Sequence, residues 1–216
     1  MECIFGKTSA EVNAEALAAR TAKHGDVLLD IGTGDGRYVL HAARTRPDWF
    51  AIGVDASKDN LRKASRKAPP NALYVIANAL ALPAELGGIA SRITINFPWG
   101  SLLAGLLDGA LLEGLLAVCR PGAGLEITVN AGALAESGYT LETGAARIRK
   151  ALYESGLDLQ DATRLDARTL RQGHITWAKR LAFGRDPRAV CLRARRVGKV
   201  PTHGRPARRQ PSGVVP

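Results

Sequence analysis

Residues 26–37 read D-V-L-L-D-I-G-T-G-D-G-R, and they constrain the fold more than any other stretch. Val27, Leu28, Leu29 and Ile31 form a short apolar run with Asp30 near its end. Such a run, bounded by turn residues, fits a strand covered on both faces. Gly32, Gly34 and Gly36 follow at alternate positions. Glycine tolerates positive φ and lets backbone approach a ligand closely. Residues 37–46 then have helical spacing, so the loop presents backbone N–H groups at a helix N-terminus, a place suited to an anionic or polar ligand.

A single G-x-G turn is common, and the next unit strengthens it. Residues 50–54 read as a second buried strand that ends in Asp55, about 20 residues past the glycines. An acid there is placed to accept both ribose hydroxyls of a nucleoside cofactor. The dinucleotide fingerprint is G-x-G-x-x-G, whereas this loop is G-x-G-x-G preceded by Asp30. That pattern resembles the S-adenosylmethionine (SAM) loop of class I methyltransferases. The expected fold is therefore α/β, a Rossmann-like class I SAM-dependent methyltransferase with a seven-stranded sheet whose seventh strand is antiparallel.

At 216 residues the chain is expected to form one domain, 1–197, followed by a basic, disordered tail, 198–216, rich in Pro, Gly and Arg. There is no apolar run of membrane-spanning length and no signal-peptide pattern. Cys3, Cys119 and Cys191 are far apart and odd in number, which argues for free thiols in a reducing, cytoplasmic setting and against a metal site. The formal charge is +10, from 30 Lys and Arg against 20 Asp and Glu. Four of those cations lie in the tail, and removing them leaves +6 on residues 1–197. A surplus of this kind favours a polyanionic partner.

Along the chain, residues 1–7 read as a strand or hairpin arm and 9–23 as a helix. Residues 57–67 form a helix capped by Ser57, with Lys58, Arg62, Lys63, Arg66 and Lys67 set against the single acid Asp59. That imbalance leans toward phosphate contact. Residues 72–77 are a third strand, and the backbone of Asn78, Ala79 and Leu80 at its end is a candidate for the adenine edge of the cofactor. Residues 89–96 are a fourth strand. One helix is expected over 101–118, a fifth strand over 124–130, a Gly/Ala/Ser-rich mobile loop over 131–140 and a helix over 141–155. A sixth strand (157–165), a short helix (166–172), a long connection and a last strand (189–197) complete the domain. A connection of that length tends to carry function.

Trp99 follows the fourth strand in N-F-P-W-G-S-L-L, and Trp177 lies in the last long connection in T-W-A-K-R-L. Both places are on the ligand side of such a sheet. Two rings there can sandwich a planar base flipped from an RNA stack, at about 1–3 kcal/mol per base. Trp49, between a helix and the second strand, reads as packing.

D-I-G-T-G-D-G-R, D-A-S-K, N-F-P-W-G-S-L-L, A-V-C-R-P-G-A and T-W-A-K-R-L, in this order and spacing, resemble the aminoglycoside-resistance 16S rRNA (adenine(1408)-N1)-methyltransferases of the kanamycin–apramycin type. The resemblance covers residues 1–197. It implies that Asp30 and the loop of Gly32, Gly34 and Gly36 hold the methionine end of SAM, that Asp55 holds the ribose, and that Ala79 and Leu80 touch adenine through backbone. It implies that Trp99 and Trp177 flank the flipped base and that Thr176 is a hydroxyl residue near the site. The basic residues 58–67, with Lys179, Arg180, Arg185 and Arg188, are implied as the docking surface for 16S rRNA in the 30S subunit. The chain departs from the family in a shorter linker between the second and third strands and a shorter region between the fifth and sixth. It also departs in Leu80, where a polar residue is expected, and in the tail.

The implied reaction is in-line methyl transfer to adenine N1 by a monomer. Carbonyls at Asn96, Phe97 or Pro98 are placed to accept from the exocyclic amine. N-F-P-W also resembles the N-P-P-Y loop of amino-methylating enzymes, which leaves N6 open as the target. A small-molecule acceptor and a catalytically silent RNA-binding module are the other readings.

Overall fold

The computed structural model describes residues 1–173 and 175–197. The tail expected at 198–216 lies outside the described residues. One mixed sheet of ten strands forms the centre, in place of the seven expected. The strands are β1 (Glu2–Phe5), β2 (Thr8–Glu11), β3 (Asp26–Ile31), β4 (Trp49–Asp55), β5 (Ala72–Ile76), β6 (Ala90–Asn96), β7 (Cys119–Asn130), β8 (Leu157–Leu159), β9 (Thr163–Leu165) and β10 (Ala189–Arg196). Their order is β2-β1-β5-β4-β3-β6-β7-β10-β8, with β9 also on β10.

β3 to β7 pair in parallel, β7 with β6 included. The expected antiparallel last strand is β10, which runs against β7. The extra strands come from an N-terminal hairpin, β1–β2, laid antiparallel on β5, and from division of the expected strand 157–165 into β8 and β9. The hairpin also corrects the helix expected over 9–23. Helix α1 (Ala14–Thr21) starts later, where the Asn13 side chain accepts from the Ala16 N–H.

Strand order reverses beside β3, with β4 on one flank and β6 on the other. In open α/β sheets ligands bind at the carboxyl ends of the strands at such a point. The alternation of β3 sets up its two faces. Val27, Leu29 and Ile31 enter the larger core with α4 (Gly100–Asp108), α5 (Leu112–Val118) and α7 (Leu141–Glu154). Leu28 enters the smaller core with Val39 and Leu40 of α2 (Arg37–Thr45) and Leu61 of α3 (Lys58–Ser65). Each such leucine contributes roughly 1.5–3 kcal/mol by burial.

Two further expectations change. The helix expected over 101–118 is broken into α4 and α5, which meet at 92°. Gly109 at φ +87° caps α4, and Ala110 N–H donates to the Asp108 carboxylate, so the chain turns there. No single helix among the described residues is long and apolar enough to cross a membrane. Residues 131–140, expected as a loop, begin with α6 (Ala131–Glu136), whose Ala131, Ala133 and Leu134 are buried. Two short helices, α8 (Ala167–Gln172) and α9 (Thr176–Ala182), fill the long connection before β10.

Candidate active site

Asp30 sits near the end of β3 with 2% of its surface exposed. Thr94 Oγ1 and Asn96 Nδ2, both from β6, donate to Asp30 Oδ1 at 2.7 and 2.9 Å. These bonds bridge the two strands at the switch point. All the hydrogen bonds to Asp30 come from neutral groups. Burial pushes its carboxyl up to about 6, against the pull of the neighbouring donors and with the Asp55 charge adding to the rise. Among the described residues no Lys or Arg pairs with this acid, which suits it to a cationic ligand group.

The glycine loop follows. Gly32 N–H is tied to Val54 O at 2.9 Å. Gly34, at φ +56°, has open space where a Cβ would stand, so a ligand can approach its Cα closely. Gly36, at φ +68°, is different. A Cβ there would meet Tyr74 and Ala64 at 2.6 and 2.7 Å, and its carbonyl accepts from the Tyr74 hydroxyl. It serves close packing of α2 on the sheet. Asp55 Oδ2 accepts from Gly34 N–H at 2.9 Å, and Oδ1 from Ser57 N–H at 2.9 Å. The carboxylate thus clamps the loop to the start of α3.

A cavity of about 270 Å³ opens over this loop. Asp30, Gly34, Asp35, Asn96, Thr176 and Trp177 are among the residues around it. The neutral-bonded buried acid fits the ammonium end of SAM, and the space over Gly34 lets the ligand lie close against the loop. Ala79 and Leu80 line neither this cavity nor the next. Leu80 is exposed and lies against α4, where a Cβ on Gly105 would meet its Cδ2 at 2.8 Å.

A second, mostly apolar cavity of about 200 Å³ adjoins the first. Phe97, Trp99, Asn130, Trp177 and Arg180 line it, and Trp177 and Arg180 border both. Trp99 and Trp177 are 47% and 48% exposed, so neither fills the core. The Arg180 guanidinium lies 5.6 Å from the Trp177 ring centroid. By contrast Trp49 is half-buried, with Arg46 and Arg92 against its ring.

Phe97 and Pro98 are buried, and Phe97 is the one described non-glycine residue with positive φ, at +54°. Its ring packs in a small cluster with Leu170, Ala178, Ala182 and Ala189. It therefore couples the Trp99 loop to the helices that carry Trp177. Thr176 meets the glycine loop from above. Its Oγ1 donates to Asp35 Oδ2 at 2.8 Å and accepts from Arg37 Nη1 at 3.4 Å.

The basic residues divide. Arg62, Lys63, Arg66 and Lys67 are exposed around α3, while Lys58 is half-buried between Ser9 and Glu2. Lys179, Arg180 and Arg185 are exposed on and after α9. Arg188 is exposed but bound through Nε and Nη2 to Asp186 at 2.8 Å each. Sequence reasoning missed Asp35, Tyr38 and Asn130 as lining residues. Asn130, a polar residue at the carboxyl end of a central strand, was the available signal.

The model of the NpmA family, 16S rRNA (adenine(1408)-N(1))-methyltransferase, matches residues 2–196. The chain belongs to this family. A relative is the 16S rRNA (adenine(1408)-N(1))-methyltransferase of Streptoalloteichus tenebrarius, 32% identical over 204 residues, covering 86% of this chain and 94% of the relative. Among solved structures, the 16S rRNA methyltransferase KamB superposes with a TM-score of 0.83 at 30% identity, covering 91% of this chain and all of KamB. A tryptophan-to-alanine mutant of the 16S rRNA (adenine(1408)-N(1))-methyltransferase from Catenulisporales acidiphilia, with cosubstrate SAM, gives 0.79 at 27% identity, covering 92% and 98%. The family membership agrees with the α/β expectation and with SAM as the methyl donor.

Proposed function

We propose that this chain methylates N1 of adenine 1408 in 16S rRNA, acting as a cytoplasmic monomer on the 30S subunit, and thereby confers aminoglycoside resistance. Residues 1–197 are the methyltransferase domain. The observation that carries the reading is the pair of cavities joined at Trp177. One is floored by Asp30 and the glycine loop, and the other is walled by Trp99 and Trp177.

Bound over the glycine loop, SAM supplies an electrophilic methyl group. Asp30 takes the ammonium end and Asp55 the ribose side. Adenine N1 has an in-plane lone pair, so the chain need not supply a strong base. Its contribution is positioning. Trp99 and Trp177 hold the base by its faces. Asn130 and the backbone at Phe97 and Pro98 stand at its edge. Lys63, Arg66 and Lys67 on one side, with Lys179, Arg180 and Arg185 on the other, meet phosphates.

The test is transfer of labelled methyl to purified 30S subunits, followed by primer extension through the decoding site. The expected result is a stop at adenine 1408, because a methyl on N1 blocks the pairing edge. Trp99→Ala and Trp177→Ala should each lower turnover roughly 5- to 150-fold, the loss of about 1–3 kcal/mol of stacking, with SAM affinity retained. Methylation without a stop points to N6. Collapse of SAM binding in Trp99→Ala makes that ring a packing residue instead.

A further inference from the structure

A third cavity, about 440 Å³, lies on the outer surface between α2 and α3. Its cations are Arg37 and Arg44 from α2 and Lys63 and Lys67 from the α3 side, with His41 between the two arginines. Residues 37, 41 and 44 fall on one face of a helix, about 10 Å from end to end. Helix α2 carries no acid, and the acid of α3, Asp59, is paired with Arg62. The acid that lines the groove is Asp35. Its charge is already engaged, since Arg37 Nε lies 3.4 Å from Oδ2 and Thr176 donates to the same oxygen.

Contacts between the two helices fix the walls of the groove. Arg44 Nη2 donates to the Lys67 carbonyl at 3.3 Å and links the end of α2 to the residues after α3. Below, Leu61 and Ala64 of α3 pack with Val39, Leu40 and Ala43 of α2 and hold the helices side by side. At its other end the groove reaches Asp35, which also lines the SAM cavity. A positive channel thus runs from the mouth of the active site outward over the surface. Four cations against one acid leave a surplus of three positive charges, and with their continuity to a site that takes a base they fit a run of phosphodiesters.

We propose that the α2–α3 groove grips the RNA backbone next to the target nucleotide, with Arg37 and Arg44 of α2 as phosphate ligands facing Lys63 and Lys67. This rests on the rRNA reading of the site and adds a helix that the basic α3 surface alone does not include.

The experiment measures affinity of the full chain for 30S subunits across about 50–200 mM salt. Each phosphate contact to single-stranded RNA contributes roughly −0.7 to the slope of log K against log salt. Arg44→Gln should flatten the slope by about that amount, and Arg37→Gln with Arg44→Gln by about twice it. Arg44→Lys, which keeps the charge, should retain the wild-type slope. Lys150→Gln on α7 is the matched surface control, and SAM affinity of Arg44→Gln is the folding control. An unchanged slope in the double variant, with wild type binding and methylating 30S, overturns the groove and leaves the rRNA reading intact. A slope lost equally in Arg44→Lys also overturns it, since the effect then belongs to the bond with the Lys67 carbonyl. Wild type that neither binds nor methylates 30S sinks the rRNA reading, and the groove with it.

Discussion

Thr176 Oγ1 donates to Asp35 Oδ2 at 2.8 Å, across 141 residues of sequence. This bond joins the helix that carries Trp177 to the glycine loop, so the base slot and the SAM cavity are held to one another by a hydroxyl. A hydrogen bond to a charged acceptor on the surface contributes about 1–1.5 kcal/mol. Thr176→Val should therefore lower kcat/KM for 30S subunits roughly 5- to 10-fold. Thr176→Ser should restore it. Melting temperature should fall by only a few degrees, about 2–6 °C, since one surface bond is lost. A loss of SAM affinity in proportion to the loss of turnover would instead make Thr176 a direct ligand.

Asp30 lends itself to a pH experiment. Unfolded, its carboxyl titrates near 3.8, and folded, burial pushes it up to about 6. Between those values the folded state holds more protons, so stability falls as pH rises from about 4 to about 6. At neutral pH the buried charge costs on the order of 2–3 kcal/mol. Asp30→Asn should then melt higher than wild type at pH 7.5, with the gap closing as pH falls to 4. Both native hydrogen bonds end on Oδ1, and an amide carbonyl in that position can keep them. SAM should bind wild type more tightly as pH rises through about 6 and bind Asp30→Asn poorly throughout. A variant that is less stable at pH 7.5 would show that the charge is solvated.

What the sequence disclosed follows from how local each signal is. The run from Asp26 to Arg37 is legible because a central parallel strand is apolar on both faces and ends in a loop only glycine can form. Trp99 is legible because it stands in the loop just past a strand end, and Trp177 because it lies in a connection too long for a simple hairpin. The break of 101–118 is not, since leucines occur on both sides of Gly109 and one glycine inside a helical pattern is often tolerated. The β1–β2 hairpin is not either, because residues 8–11 become a strand only by pairing with β1, itself docked on β5. The contacts of Thr176 with Asp35 and Arg37 depend on tertiary folding, so spacing carries no trace of them. Gly36 belongs to the loop pattern, yet its reason is the Tyr74 ring two strands away.

Phe97 offers a test in which a smaller residue is better tolerated than a larger one. At φ +54° any side chain with a Cβ is strained by about 1–2 kcal/mol. The ring offsets this by filling the cluster with Leu170, Ala178 and Ala182. Phe97→Ala should destabilise by about 3–5 kcal/mol, the usual cost of an emptied phenylalanine site. Phe97→Gly empties the same site but removes the strain, so it should unfold at higher urea than Phe97→Ala by about 1 kcal/mol. Both should lose methylation more than SAM binding, because α9 and Trp177 lose their anchor. Should Phe97→Ala prove the more stable, the left-handed backbone is not held at this residue in solution.

Arg188 is held in reserve by Asp186. Two bonds of 2.8 Å fix its guanidinium edge-on to the carboxylate, and the same bonds hold the Asp186 carboxyl below its ordinary range. Both side chains are at the surface, where water and salt screen such a pair. An rRNA phosphate competes with a tie that weak. Asp186→Ala should tighten 30S binding by about 2- to 5-fold at low salt and steepen its salt dependence, since a cation is released and an acid removed. The acid's own repulsion of RNA is separated by Asp186→Ala in an Arg188→Ala background. There the gain should shrink to what removing one negative charge alone provides. Equal gains in both backgrounds would mean that Arg188 never reaches a phosphate, and that Lys179, Arg180 and Arg185 carry the docking on this side of the site.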